Sequence, residues 1–263
     1  MSHKTTFTTG IALKEMATPS ALSGYVPLYA KTDGKLHGLI GGAEEELAVV
    51  DRYYGEAFIY NNANPTEIET VDSVIALRQI SEGLTDGFTF DAGSTGAITS
   101  YQDGTVPTTH TRVNDVAHGL SNNDIITIRG SSVAAYNGVQ TVSSVSTDYF
   151  DIDTAWDVDG GASDWDQGAS LTADVGAAGI YSAAWQMSTA PDAAANLTFM
   201  MYINTTPQTK STAERKFPIN DLGSTSSSCV LSITDGDLIW LSVQSDNSSD
   251  ITNKHGEYNI RRL

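Results

Sequence analysis

Residues 233–243 read Ile-Thr-Asp-Gly-Asp-Leu-Ile-Trp-Leu-Ser-Val, "ITDGDLIWLSV". An apolar strand end runs into Asp235-Gly236-Asp237, and a second strand opens with Trp240 set among aliphatics. Asp and Gly side by side between two apolar runs are turn chemistry, because glycine supplies the positive φ that a tight reversal needs. Asp237 is expected to bond backbone amides of that turn. Trp240, flanked by Ile239 and Leu241, reads either as a buried residue of a β-fold or subunit interface, or as a ligand-facing aromatic.

The same grammar recurs outward from this stretch. "AAGIYSAAWQMS", "NLTFMMYINTT" and "EYNIRRL" place large apolar residues at spacing two or in short runs, bounded by Asn, Asp, Gly or Ser. Trp185 carries the same alternatives as Trp240. Helical periodicity of any length is scarce, so the fold class is all-β. The chain divides into four zones. Residues 1–50 hold a hairpin signal, "GYVPLYAKTDGKLHGLIGG", turning at Asp33-Gly34, and "AEEE" is expected to make one helical turn near Glu44–Glu46. Residues 51–104 are β-rich, with Phe88 and Phe90 at period two. Residues 105–170 contain nine Asp, two Arg and no Lys or Glu, a charge of −7, and show short strands at even spacing. Residues 171–263 return to the earlier style.

Composition narrows function. The 263 residues carry 14 Lys+Arg against 32 Asp+Glu, a formal net charge of −18, which repels phosphate backbones and argues against a nucleic-acid partner. Only 17% of residues are charged, so Ser, Thr, Asn and Gly must carry the surface, as exposed sheets and turns allow. No apolar stretch approaches a membrane span, and no secretory signal is legible at the N-terminus. Cys229 is the sole cysteine, so no internal disulfide forms; on an apolar strand it reads as an inert buried thiol.

"DVDGGASDWDQG" places Asp157, Asp159, Asp164 and Asp166 around two glycines, with Trp156 and Trp165 flanking the loop. Hard cations want several oxygens at one point, so the loop reads either as a calcium site or as a solvated acidic turn; no Glu closes it at the twelfth position of an EF-hand. The five histidines show no zinc spacing, and His118, before Gly119, reads as a turn residue. Nucleophile elbows and Gly-rich phosphate loops are absent from the sequence, and no catalytic constellation stands out. Asn196, Asn204 and Asn247 open glycosylation-type triplets that a Ser/Thr/Asn-rich chain produces by chance.

"GAAGIYSAAWQMS" resembles the Gly-aliphatic-Tyr strand of the tumour-necrosis-factor-like and complement-globular-head jelly rolls, and "LSITDGDLIWLSV" is similar to their late hairpin. "EYNIRRL" resembles their terminal strand. The resemblance covers 51–104 and 171–263, and implies that 105–170 is an inserted module. That module is similar to a small β-module of phage tail and virion proteins, on His118-Gly119-Leu120, Asp124, Ile125–Ile128, Tyr136-Asn137-Gly138 and Phe150. "VPLYAKTDGKL" is similar to openings of phage head- and tail-fibre proteins. Together the resemblances imply a jelly-roll β-sandwich with an inserted antiparallel β-domain and an N-terminal docking arm. They imply a non-enzymatic virion protein: a homotrimeric capsid decoration or head fibre, docked to a capsid or tail protein by residues 1–50 and able to touch host surface glycans. The alternatives are the receptor-binding tip of a tail fibre, or a secreted complement-type binding lectin. No cofactor is expected beyond the calcium alternative.

Overall fold

A computed structural model describes residues 53–60, 62–63, 66, 73–77, 80–104, 110–248 and 250–263, together with three strand backbones within 28–46. The chain forms two compact units, Met1–Arg52 and Tyr53–Leu263. In the first, β1 (Leu28–Ala30), β2 (Leu36–Ile40) and β3 (Ala43–Glu46) make an antiparallel sheet in that order. β1 and β2 pair as Leu28↔Gly38 and Ala30↔Leu36, as a hairpin requires; Asp33-Gly34 itself and Val26 lie outside the described residues. The helical turn expected at Glu44–Glu46 is a strand instead, paired His37↔Glu46 through Ile40↔Ala43. Ala and Glu are good helix formers, but propensity is worth only tenths of a kcal/mol per residue (about 0–0.7), and a neighbouring strand with open hydrogen-bonding groups outweighs it.

The second unit is a β-sandwich. One sheet has the order β20 (Gly223–Ile233), β16 (Gly179–Pro191), β22 (Ile251–Arg262), β4 (Tyr54–Tyr60) and β6 (Ser81–Asp86). The other runs β18 (Thr206–Pro207), β17 (Ala195–Ile203), β21 (Leu238–Ser245), β15 (Ser170–Ala173) and β7 (Phe88–Asp91). On it β19 (Ala213–Phe217) pairs with β17, and β5 (Ile75–Ala76) with β21. Neighbours come from distant parts of the chain, the interleaving that a jelly roll produces. Alternation does the packing: Tyr181, Ala183, Trp185 and Met187 point inward from β16, and Ile239, Leu241 and Val243 from β21, into one core. Trp185 is closed off there, its indole N–H donating to the Ser211 carbonyl at 2.9 Å.

Between β7 and β15 the chain leaves the sandwich to build a third sheet with its own core. Its order is β8 (Thr95–Ile98), β14 (Ser163–Asp166), β11 (Ile125–Arg129), β12 (Gly138–Ser143), β13 (Tyr149–Ile152), β10 (Thr111–Asn114) and β9 (Ser100–Asp103). β8 and β9 are joined through Thr99 alone, whose amide donates to the Asn114 carbonyl at 2.9 Å. The two edges of the sheet are therefore halves of one bent strand, and the sheet closes into a small barrel around Phe150, Trp165 and Tyr136. The module starts near Thr95, not at the composition change at 105: β8 (Thr-Gly-Ala-Ile) and β9 (Ser-Tyr-Gln-Asp) read like strands of the sandwich, but pair with β14 and β10. Its two linkers run side by side. The Gln167 amide donates to the Ser94 carbonyl at 2.8 Å, and a Cβ on Gly93, at φ +73°, would stand 2.1 Å from the Gln167 carbonyl oxygen. Only glycine fits there. Two single 3-10 turns, at Ala134–Tyr136 and Thr209–Ser211, are the helical elements among the described residues.

Two tyrosines make the fold alkali-sensitive. Tyr258 is fully buried, and burial drives its phenol far above the ordinary value of 10.0. Tyr101 is also raised, loss of solvent outweighing its hydrogen bond with Ser163. The folded state holds these protons more tightly than the unfolded chain does. Their contribution is therefore intact below pH about 10 and is lost as pH rises beyond it. In an alkaline titration, part of the tyrosinate absorbance should appear in one cooperative step together with loss of β circular dichroism.

Candidate functional site

The two sheets of the sandwich treat their outer faces differently. Behind the seven-stranded sheet, Trp240 packs with Tyr202, Ala76 and Ile125, with Val139 of the barrel against them. Trp240 stacks on Tyr202 with ring centroids 4.5 Å apart, and its indole N–H donates to the Asn204 carbonyl at 2.9 Å. The Ala76 amide donates to Thr127 Oγ1 across the same junction at 3.0 Å. Trp240 is thus neither in the sandwich core nor on a free surface; it is the plug between sandwich and barrel, 2% exposed. The turn before it is held by Asp237, whose carboxylate accepts from the Thr234 amide at 2.8 Å and the Asn204 side-chain amide at 2.8 Å. Asp235 accepts from the Gly176 and Ala178 amides, which hold its carboxyl below the ordinary carboxylate value.

Among the described residues of the second unit, no element packs on the outer face of the five-stranded sheet. β16 and β20, 13 and 11 residues long, contain no charged residue, although the chain as a whole carries 14 basic and 32 acidic ones. At one end of this face Ile180 (50% exposed) and Val230 (57%) stand out, with Leu263, whose amide donates to the Ile180 carbonyl. Towards the other end lies an open cleft of about 440 Å³, lined by Phe58 and Tyr60 of β4, Gln186 and Ser188 of β16, and His255 and Glu257 of β22. A bulge positions it: pairing steps from Ser188↔His255 to Thr189↔Asn253, which leaves Lys254 as the extra residue. His255 then stands opposite Tyr60, their ring centroids 5.5 Å apart. Gln186 Nε2 donates to Glu257 Oε1 at 3.1 Å.

The four aspartates of the acidic loop do not form one site. Asp166 is buried and accepts from Arg129 Nε at 2.9 Å, while Asp164 accepts from Arg129 Nη1 at 3.3 Å. Asp159 accepts from the Tyr101 and Gly161 amides, and the Asp157 amide donates to the Tyr136 hydroxyl. Among the described residues no group of three or more His, Cys, Asp or Glu converges as metal ligands would. Arg129, buried and far off in sequence, is the partner that a scan of the loop alone does not find. Trp165 fills the barrel core and donates to Asp115 at 2.6 Å, while Trp156 is half-buried against it. His118 is a turn residue: Nδ1 accepts from the Leu120 amide, so Nε2 carries the proton given to the Ser146 carbonyl. Burial pushes the Cys229 thiol up, which disfavours the thiolate. The side chains of Asn204 and Asn247 hydrogen-bond within the fold, as does that of Asn196 to Asp246.

No family model matches the sequence, and no curated protein matches it. Among solved structures, the chain is similar to a protein in the crystal structure of the T13 IBDV viral particle, at 9% identity and a TM-score of 0.27. The likeness covers 90% of this chain and 62% of that one, so the chain spans less than two thirds of its neighbour's length. Similarity this slight settles neither fold nor role.

Proposed function

We propose that this chain is a non-enzymatic structural protein of a virus particle, a homotrimeric decoration or head-fibre protein displayed on the particle surface. The observation that carries the reading is the contrast between the two outer faces. One carries the inserted barrel at its Trp240 end, and the other is uncharged across β16 and β20, with Ile180, Val230 and Leu263 exposed among the described residues. Depletion of charge around aliphatic side chains is what the core of a subunit interface shows. In a chain of charge −18, a neutral strip lowers the repulsion that copies meet as they approach. The strand order of the sandwich supports the tumour-necrosis-factor-like reading: β4, β22, β16 and β20 lie side by side in one sheet, and β15, β21, β17 and β19 in the other. The resemblance of 26–36 to fibre-protein openings supports docking through the first unit.

Gold-labelled antibody against the second unit, applied to purified particles, should decorate capsids. Labelling confined to tails would move the assignment to a tail-fibre tip, and intact particles that take no label would contradict the proposal.

A further inference from the structure

The cleft at the far end of the bare face differs from the aliphatic patch in chemistry. Gln186 lies six residues from Ile180 along β16, about 20 Å at the rise of a strand, so the two need not compete for one partner. Tyr60 is 79% exposed and Phe58 is 37% exposed, side by side on one strand face. Tyr60 lies against the His255 ring. Around these rings stand planar or hydroxylic polar groups: the linked amide and carboxylate of Gln186 and Glu257, and the Ser188 and Ser224 hydroxyls 3.0 Å apart. The volume of about 440 Å³ is in the range of small-ligand sites.

From this geometry we infer that the cleft binds an uncharged saccharide. A sugar ring offers an apolar C–H face and a polar rim, which match an exposed aromatic beside paired hydrogen-bonding groups. A peptide fits worse. An extended peptide would add to a strand edge, whereas the cleft lies over β16 and β22, whose backbones are each paired on both sides. An anionic saccharide is disfavoured by Glu56 and Glu257 in the lining and by the charge of −18. The site sits near the Tyr60 end of β4, away from Tyr54, where the chain joins the sandwich. The inference extends the display reading by naming what the displayed surface holds, but it requires neither a trimer nor a particle.

Saturation-transfer NMR on the full chain tests it. The probes are neutral tetrasaccharides of glucose, mannose, galactose and N-acetylglucosamine, with sialyllactose as the anionic counterpart, all at millimolar concentration. At least one neutral probe should receive saturation, with affinity falling about 10-fold or more in Tyr60→Ala and being kept in Tyr60→Phe. Both variants should keep the circular dichroism of the parent, because Tyr60 lies outside the core. Saturation of no neutral probe, of sialyllactose alone, or undiminished binding by Tyr60→Ala would each overturn the inference. Particle labelling and chain mass are read separately, so a negative here leaves the display proposal standing, and the reverse also holds.

Discussion

Replacing Trp240 by alanine should destabilise the second unit by about 3–5 kcal/mol, the range for emptying a buried large aromatic site. The loss has two parts. The indole is only 2% exposed, and its removal leaves a void against Tyr202, Ala76 and Ile125. It also leaves the Asn204 carbonyl without its indole donor. Because Trp240 joins sandwich to barrel, the damage should extend beyond stability. Amide exchange at Ala76, which donates to Thr127 Oγ1 across the junction, should quicken more than exchange inside either core. Urea unfolding with amide-exchange mass spectrometry reads both. A change under about 1 kcal/mol would mean that Trp240 is not the plug described.

Asp166→Ala should be nearly as damaging, for an electrostatic reason. Arg129 is 4% exposed in its side chain and Asp166 is 3% exposed. Removing one member of a buried ion pair strands the other charge in a poorly solvating interior, which costs about 3–5 kcal/mol. Asp164 still reaches Arg129 Nη1 at 3.3 Å, so the loss should fall at the lower end. Adding calcium should not rescue the variant, because Asp164 and Asp166 serve Arg129 and Asp159 serves backbone amides, rather than one cation. Thermal unfolding with and without calcium checks both statements, and calcium-dependent stabilisation of the parent would contradict the second.

The β class was legible because inward positions repeat at period two, as Tyr181, Ala183, Trp185 and Met187 do. Trp240 reads as buried and is buried, but the face it takes is not assigned by that reading, although a signal is present. Leu238 to Leu241 is apolar throughout instead of alternating, which is how a strand covered on both faces reads. The barrel is the second cover. Its true start near Thr95 was hidden because pairing, not composition, assigns β8 and β9 to it. The acidic loop by itself leaves a calcium site and a solvated turn open, because Arg129, 37 residues before Asp166 and beside it in the fold, is not visible in the loop. The cleft could not have been found from a motif. Tyr60, Gln186 and His255 come from three strands spread along the chain, and only the pairing β16–β22–β4 brings them together.

Multi-angle light scattering of the full chain tests self-association through the bare sheet face most directly. The account predicts a species of three times the 28.0 kDa chain mass, reduced to a single chain by Val230→Glu without loss of β circular dichroism. A parent that stays at 28.0 kDa at every concentration, or a Val230→Glu variant as large as the parent, would contradict it.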